Sequence, residues 1–181
     1  MQEATVGRKH VVSRVGSLLG SLLFFVIVPG TVAGWVPYAL SGWQIQPPLL
    51  GIPAGRIIGG VIAAIGVLSL VACFGRFAIE GRGTPAPIAP PQRLVVSGLY
   101  RHVRNPMYVA VLAIIAGQGL LLGNVALLVY AAVVWLPFHA FVLGYEEPVL
   151  RRRFGRFYDV YRANVNRWWP RITPWLGPSA D

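Results

Sequence analysis

The sequence predicts an all-α integral membrane protein: about four transmembrane helices, the last two a helical hairpin, followed by a cytoplasmic interfacial helix. Three observations predict it. Of 181 residues, 55% are hydrophobic and only 12% charged. The mean hydropathy is +0.60, far from the average of soluble domains. Finally, the charges are not spread along the chain but gathered between four apolar runs.

The first run, residues 17–40, is uncharged and carries Pro29 and Gly30 near its middle. Arg8, Lys9 and Arg14 precede it as they would a secretory signal, yet its length and the lack of an A-x-A site point to an uncleaved first helix. The second run covers residues 57–74. Between it and the third lies "GRGTPAPIAPPQR", residues 81–93, too rich in proline for helix and expected to run extended along the membrane surface. Runs three and four, 107–122 and 125–145, are separated only by Gly123 and Asn124. A spanning helix needs roughly 20 apolar residues, so the short third run pairs with the fourth as a hairpin. Three G-x-x-x-G spacings, Gly16/Gly20, Gly30/Gly34 and Gly55/Gly59, are expected to pack helices within the chain.

Charge placement orients these helices. The 16 basic residues, all arginine except Lys9, leave a net charge of +10. They fall in the N-terminal tail, in residues 74–104 and beyond Tyr145, whereas the 41–55 and 123–124 turns have none. The positive-inside rule then places both termini and the long central loop in the cytoplasm, with a cell inner membrane as the expected location and Arg56 snorkelling from a helix end. Because the arginines sit at membrane boundaries, no nucleic-acid partner is expected. The single cysteine, Cys73, lies inside an apolar run and rules out a disulfide within the chain or a cysteine-based metal site; no metal is expected.

Polar residues gather at two helix mouths. Ser97 and Gly98 suit a turn, and Pro106 suits the first turn of a helix capped by Asn105. Backbone donors and the positive dipole end would then lie beside Arg101, His102 and Arg104, a place for a carboxylate or phosphate, or for anionic lipid head groups. Glu146 and Glu147, two of only six acids, follow the fourth run. His139 and Val142 precede Glu146 by seven and four residues, on the same face of a regular helix. Beyond the acids, Phe154, Phe157, Tyr158, Tyr161 and Val165 recur at three and four residues, the pattern of an amphipathic interfacial helix ended by Pro170. Trp168, Trp169 and Trp175 are expected as interfacial anchors, and the whole segment as a lid over a site at the acids.

Together, "SGLYRHVRNPMY" and "EEPVLRRRFGRFYDVYRANVNRWWP" resemble the isoprenylcysteine carboxyl methyltransferase family and its relatives, the phospholipid N-methyltransferases. The shared pattern is G-x-Y-x-x-x-R-H-P-x-Y, a short hairpin, then E-E-x-x-L-x-x-x-F-G-x-x-Y-x-x-Y. The resemblance implies an S-adenosylmethionine-dependent membrane methyltransferase without a Rossmann domain, yielding S-adenosylhomocysteine. It implies one membrane domain over 1–181, with a two-helix part at 1–80 and a cofactor-binding part at 81–181. Carried over, the cofactor would meet Gln92, Arg93, Leu94, Val95, Tyr100, Asn105, Pro106, Met107, Tyr108 and Glu146. Arg104, Tyr108, Glu147 and Arg167 would serve catalysis, with Arg104 and Glu147 supporting each other.

Two departures bear on the chemistry. Asn105 replaces the motif histidine, for which His102 is the expected substitute. Val142 stands where the eukaryotic carboxyl methyltransferases carry an arginine associated with the substrate, which leaves Val142 and His139 as the substrate positions. A lipophilic carboxylate acceptor would need Arg167 or His139 to compensate, and an amine, thiol or phenol on a lipophilic molecule is equally expected. An adaptor that only binds anionic lipid or a partner through its arginines remains the competing class, and would not need the paired acids.

Overall fold

The computed structural model describes residues 27–80 and 94–177. All regular structure within them is helical. Helix α1 covers residues 27–41, with a π turn at Thr31–Trp35 running into the α-helical Val36–Ser41. Pro37 explains the wide turn. Lacking an N–H, it leaves carbonyls of the preceding turn without an intrahelical donor, and two residues of other helices satisfy them: the Tyr130 hydroxyl donates to Val32 O at 3.1 Å and the Gln118 amide to Ala33 O at 2.8 Å.

Helix α2, Ala54–Glu80, and helix α3, Pro106–Leu122, form the densest helix pair. Their seam is set by missing side chains. A Cβ on Gly59 would lie 2.7 Å from Gly117 O, and one on Gly117 would lie 2.7 Å from Gly59 O, so the backbones touch. Gly66 packs equally closely, with Ala110 O and Ile114 against it. Among the described glycines of the expected G-x-x-x-G pairs, only Gly59 has this role: Gly30, Gly34 and Gly55 meet no atom within 4 Å. Gly16 and Gly20 lie outside the described residues.

Helix α3 turns into α4, Val125–Phe141, at Gly123, whose φ of 70° is the left-handed conformation glycine adopts without strain. This is the expected hairpin. A second π turn, Val142–Glu146, leads from α4 into α5, Glu147–Asn164. Pro148 supplies its cause by the same missing donor, and the Glu147 N–H reaches back five residues to Val142 O. Helix α5 is broken at Gly155, where φ is 52° and ψ −130°.

The outer surfaces are apolar: Ile57 is 73% and Leu68 70% exposed on α2. Such a face suits lipid, not water. Among the described residues two helical stretches, Ala54–Arg76 and Val125–Asn164, are long and apolar enough to cross a membrane; α3 is shorter.

Three expectations about the C-terminal segment are corrected. The helix ends at Asn164, before Pro170, because Val165 turns extended and buries its side chain. The apolar face expected to lie on the bilayer is buried within the protein at Tyr158, Tyr161 and Val165, against Leu94, Val96 and Trp175. Of the three tryptophans only Trp169, 80% exposed, remains free to meet lipid.

Candidate functional site

Residues 165–177 form a strap that runs back over the loop before α3. Main-chain bonds tie the two together: Arg104 N–H to Asn166 O at 2.9 Å, Arg171 N–H to His102 O at 2.9 Å and Trp175 N–H to Arg101 O at 3.0 Å. The loop contains a 3-10 turn, Gly98–Arg101, and the Tyr161 hydroxyl donates to Tyr100 O at 2.7 Å. Asn105 occupies the N-cap position of α3 without side-chain capping; its amide donates instead to Arg167 O at 3.2 Å, fixing the strap.

Beneath this junction is a cavity of about 440 Å³, within the range of small-molecule sites. Leu94, Val95, Tyr100, Arg104, Asn105, Pro106, Met107, Tyr108, Val142, Glu146 and Glu147, each expected from the sequence, all line it. Its polar groups gather where Tyr108 meets Glu146 and Arg104 meets Glu147, and most of the remaining lining is apolar, from residues such as Val28, Val32, Leu70 and Phe138. The first two helices therefore supply cavity wall, although their sequence offers only hydropathy. Gln92 and Arg93 lie outside the described residues.

The two neighbouring acids are held differently. Glu147, 7% exposed, accepts hydrogen bonds from Arg104 Nη1 at 2.9 Å, Arg167 Nε at 2.6 Å and Arg167 Nη2 at 3.0 Å. Three charge-assisted bonds lock this carboxylate between two guanidinium groups. The bond to Glu147 is the main cause that raises the Arg167 guanidinium above its ordinary pKa. Glu146 instead accepts one bond, from the Tyr108 hydroxyl at 2.6 Å. Adjacent helix positions normally diverge by about 100°, yet both acids, at the junction of the π turn and α5, line the one cavity. Burial pushes the Tyr100 phenol well above the usual tyrosine range, so it stays neutral. Arg104 Nε is buried and finds no partner among the described residues.

Three candidates stand outside the lining. His102 donates through Nδ1 to Arg171 O at 2.8 Å, so it anchors the strap. His139 accepts from Trp168 Nε1 at 3.0 Å and packs on Trp135, with ring centres 4.8 Å apart. The π turn interrupts the 3.6-residue period across Val142–Glu146, so His139 and Glu146 lose the shared face expected of a regular helix. Arg167 reaches Glu147 from the outer side. Sequence reasoning missed Phe138, whose ring centre is 4.6 Å from that of Tyr108. An apolar residue in an apolar run gives no signal of its own.

Residues 54–156 match the model of the phospholipid methyltransferase family, more than half of the chain. The chain belongs to that family. It is also similar to a protein-S-isoprenylcysteine O-methyltransferase of Schizosaccharomyces pombe, 38% identical over 73 residues; the match covers 40% of this chain and 30% of the relative. The family match begins in α2 and ends within α5, so it takes in the α2–α3 seam and both acids.

Proposed function

We propose that the protein is an S-adenosylmethionine-dependent methyltransferase acting on a lipophilic acceptor at the cytoplasmic face of a cell inner membrane. The observation that carries this reading is the mixed lining of one cavity: a cluster of charged and phenolic groups together with an apolar wall supplied by the helices. A polar donor and a bilayer-dissolved acceptor need those two environments side by side. The whole chain would work as one membrane domain, with residues 1–80 serving the acceptor and 81–181 the donor.

The residues present fit the donor. Arg104 Nε, buried and unpaired among the described residues, is suited to donate to a carboxylate. Glu146, engaged among the described residues only by Tyr108, retains acceptor capacity for an ammonium or ribose hydroxyls. Leu94, Val95, Pro106 and Met107 offer apolar surface for an adenine. When bound, S-adenosylmethionine supplies a methyl group activated by its sulfonium.

The chain's own contribution is placement. Glu147, clamped by Arg104 and Arg167, fixes the wall of the donor site, and Asn105 together with His102 keeps the strap closed over it. Excluding water and aligning reactants can be worth roughly 7 to 11 kcal/mol; a neutral amine attacks with its lone pair and leaves as the methylated ammonium, whereas a thiol reacts as its thiolate after giving its proton to solvent. Val142 leaves the acceptor side without a cation, and Arg104 is taken up by Glu147 through Nη1 and, in this reading, by the donor's carboxylate through Nε. An amine or thiol acceptor is therefore favoured over a carboxylate.

The test is methyl-labelled S-adenosylmethionine incubated with the full chain in lipid nanodiscs and a panel of lipophilic amines, thiols and carboxylates. Label should pass into the organic phase with an amine or thiol and fall at least tenfold in Glu146→Ala. Absence of transfer to any acceptor by a folded wild type would sink the proposal.

A further inference from the structure

The wall at Glu147 has a second side. Four arginines, Arg151, Arg152, Arg162 and Arg167, line an outer groove of about 460 Å³ together with Leu143 and Pro148. Glu147 is the single carboxylate in that lining, and it is already shared between Arg104 and Arg167. Arg151 is paired with Asp159, Nε to Oδ1 at 3.1 Å. Arg152 and Arg162 make no hydrogen bond or ion pair among the described residues. The groove thus holds more positive charge than its own acids balance.

Arginines scattered on a surface need no ligand, since each is simply solvated. Here they converge on one concavity from both halves of α5 and from the strap, on either side of the break at Gly155. The groove also has an apolar edge. Leu143, 41% exposed, and Pro148 belong to it, and Trp169 stands out two residues beyond Arg167. Exposed aromatic and aliphatic side chains beside clustered arginines are what a protein presents at head-group depth.

We propose that this groove is a binding site for a phosphate-type oxyanion, the phosphodiester of an anionic lipid or a free phosphate, separate from the cavity. A guanidinium presents parallel N–H groups that match two phosphate oxygens, and Arg152 and Arg162 have theirs uncommitted. Arg167 lends the field of a cation already fixed in place. The site depends on neither methyl donor nor acceptor, so it stands or falls apart from the methyltransferase reading.

The full chain in detergent is titrated calorimetrically with dihexanoyl phosphatidylglycerol below its micelle concentration. Parallel titrations use dihexanoyl phosphatidylcholine and inorganic phosphate. Saturable binding of the anionic lipid is expected, weakened about tenfold or more in Arg152→Ala/Arg162→Ala. The pair Arg153→Ala/Arg156→Ala, with the same charge change outside the groove, should leave it unaltered. Equal affinity for inorganic phosphate would keep the oxyanion site and assign it to the free ion. Both pairs are on the exposed surface, and matched thermal unfolding of each checks the fold. Binding of neither anion by the wild type, or equal loss in both pairs, would overturn the proposal.

Discussion

The α2–α3 seam and the junction of loop and strap hold the molecule together by opposite means. In the seam, glycines bring two backbones into contact, and Gly59 and Gly117 leave no room for a methyl group. At the junction, polar groups do the joining: three main-chain bonds, the Glu147 clamp, and the side chains of Asn105 and His102. The difference teaches where each kind of interaction is useful. Facing lipid, helices gain little from apolar attraction and associate through close packing. At the membrane's edge, backbone that is not helical must find partners, and it can position chemistry while doing so.

Damage to the two regions should therefore look different. The largest effect is expected of Gly59→Leu, which pushes a side chain into the backbone of α3: overpacking should cost about 3 kcal/mol or more, seen as loss of folded protein on size exclusion and in thermal unfolding. Glu147→Ala comes next. It leaves Arg104 buried without its counter-ion and should cost about 3 kcal/mol, the lower end of the range because Arg167 is 28% exposed. Its signature, unlike that of the seam, is protease sensitivity of the strap before global melting. Tyr108→Phe removes one hydrogen bond to Glu146 and should weaken S-adenosylhomocysteine binding by about 1 kcal/mol with unfolding unchanged. The smallest effect is that of Gly34→Ala, whose added methyl meets open space; a shift within about 0.5 kcal/mol is expected. A large effect there would mean that α1 packs against something beyond the described residues.

The same contrast explains what could be read from the sequence. Apolar runs and the Gly123 turn are local signals, and the hairpin followed from them. The polar motif positions were also legible, since Arg104, Asn105, Tyr108, Glu146 and Glu147 fall at positions of the family pattern, and all five line the cavity. The partners were not. That His102 would face Arg171, or His139 face Trp168, depends on a strap whose path begins where Val165 leaves the helix. Both π turns escaped as well, although each precedes a proline, Pro37 and Pro148, that removes a donor from the helical ladder. Regular periodicity therefore misplaced His139 and suggested a lipid-facing stripe where Tyr158 and Tyr161 are buried.

The central claim is that the polar cluster of the cavity is the methyl-donor site, and calorimetric titration of the purified full chain with S-adenosylhomocysteine tests it most directly. Saturable one-to-one binding is predicted, lost or strongly weakened in Glu146→Ala and only mildly in Tyr108→Phe. A folded wild type that takes up none, in detergent and in nanodiscs alike, or a Glu146→Ala variant that binds as tightly as the wild type, would contradict it.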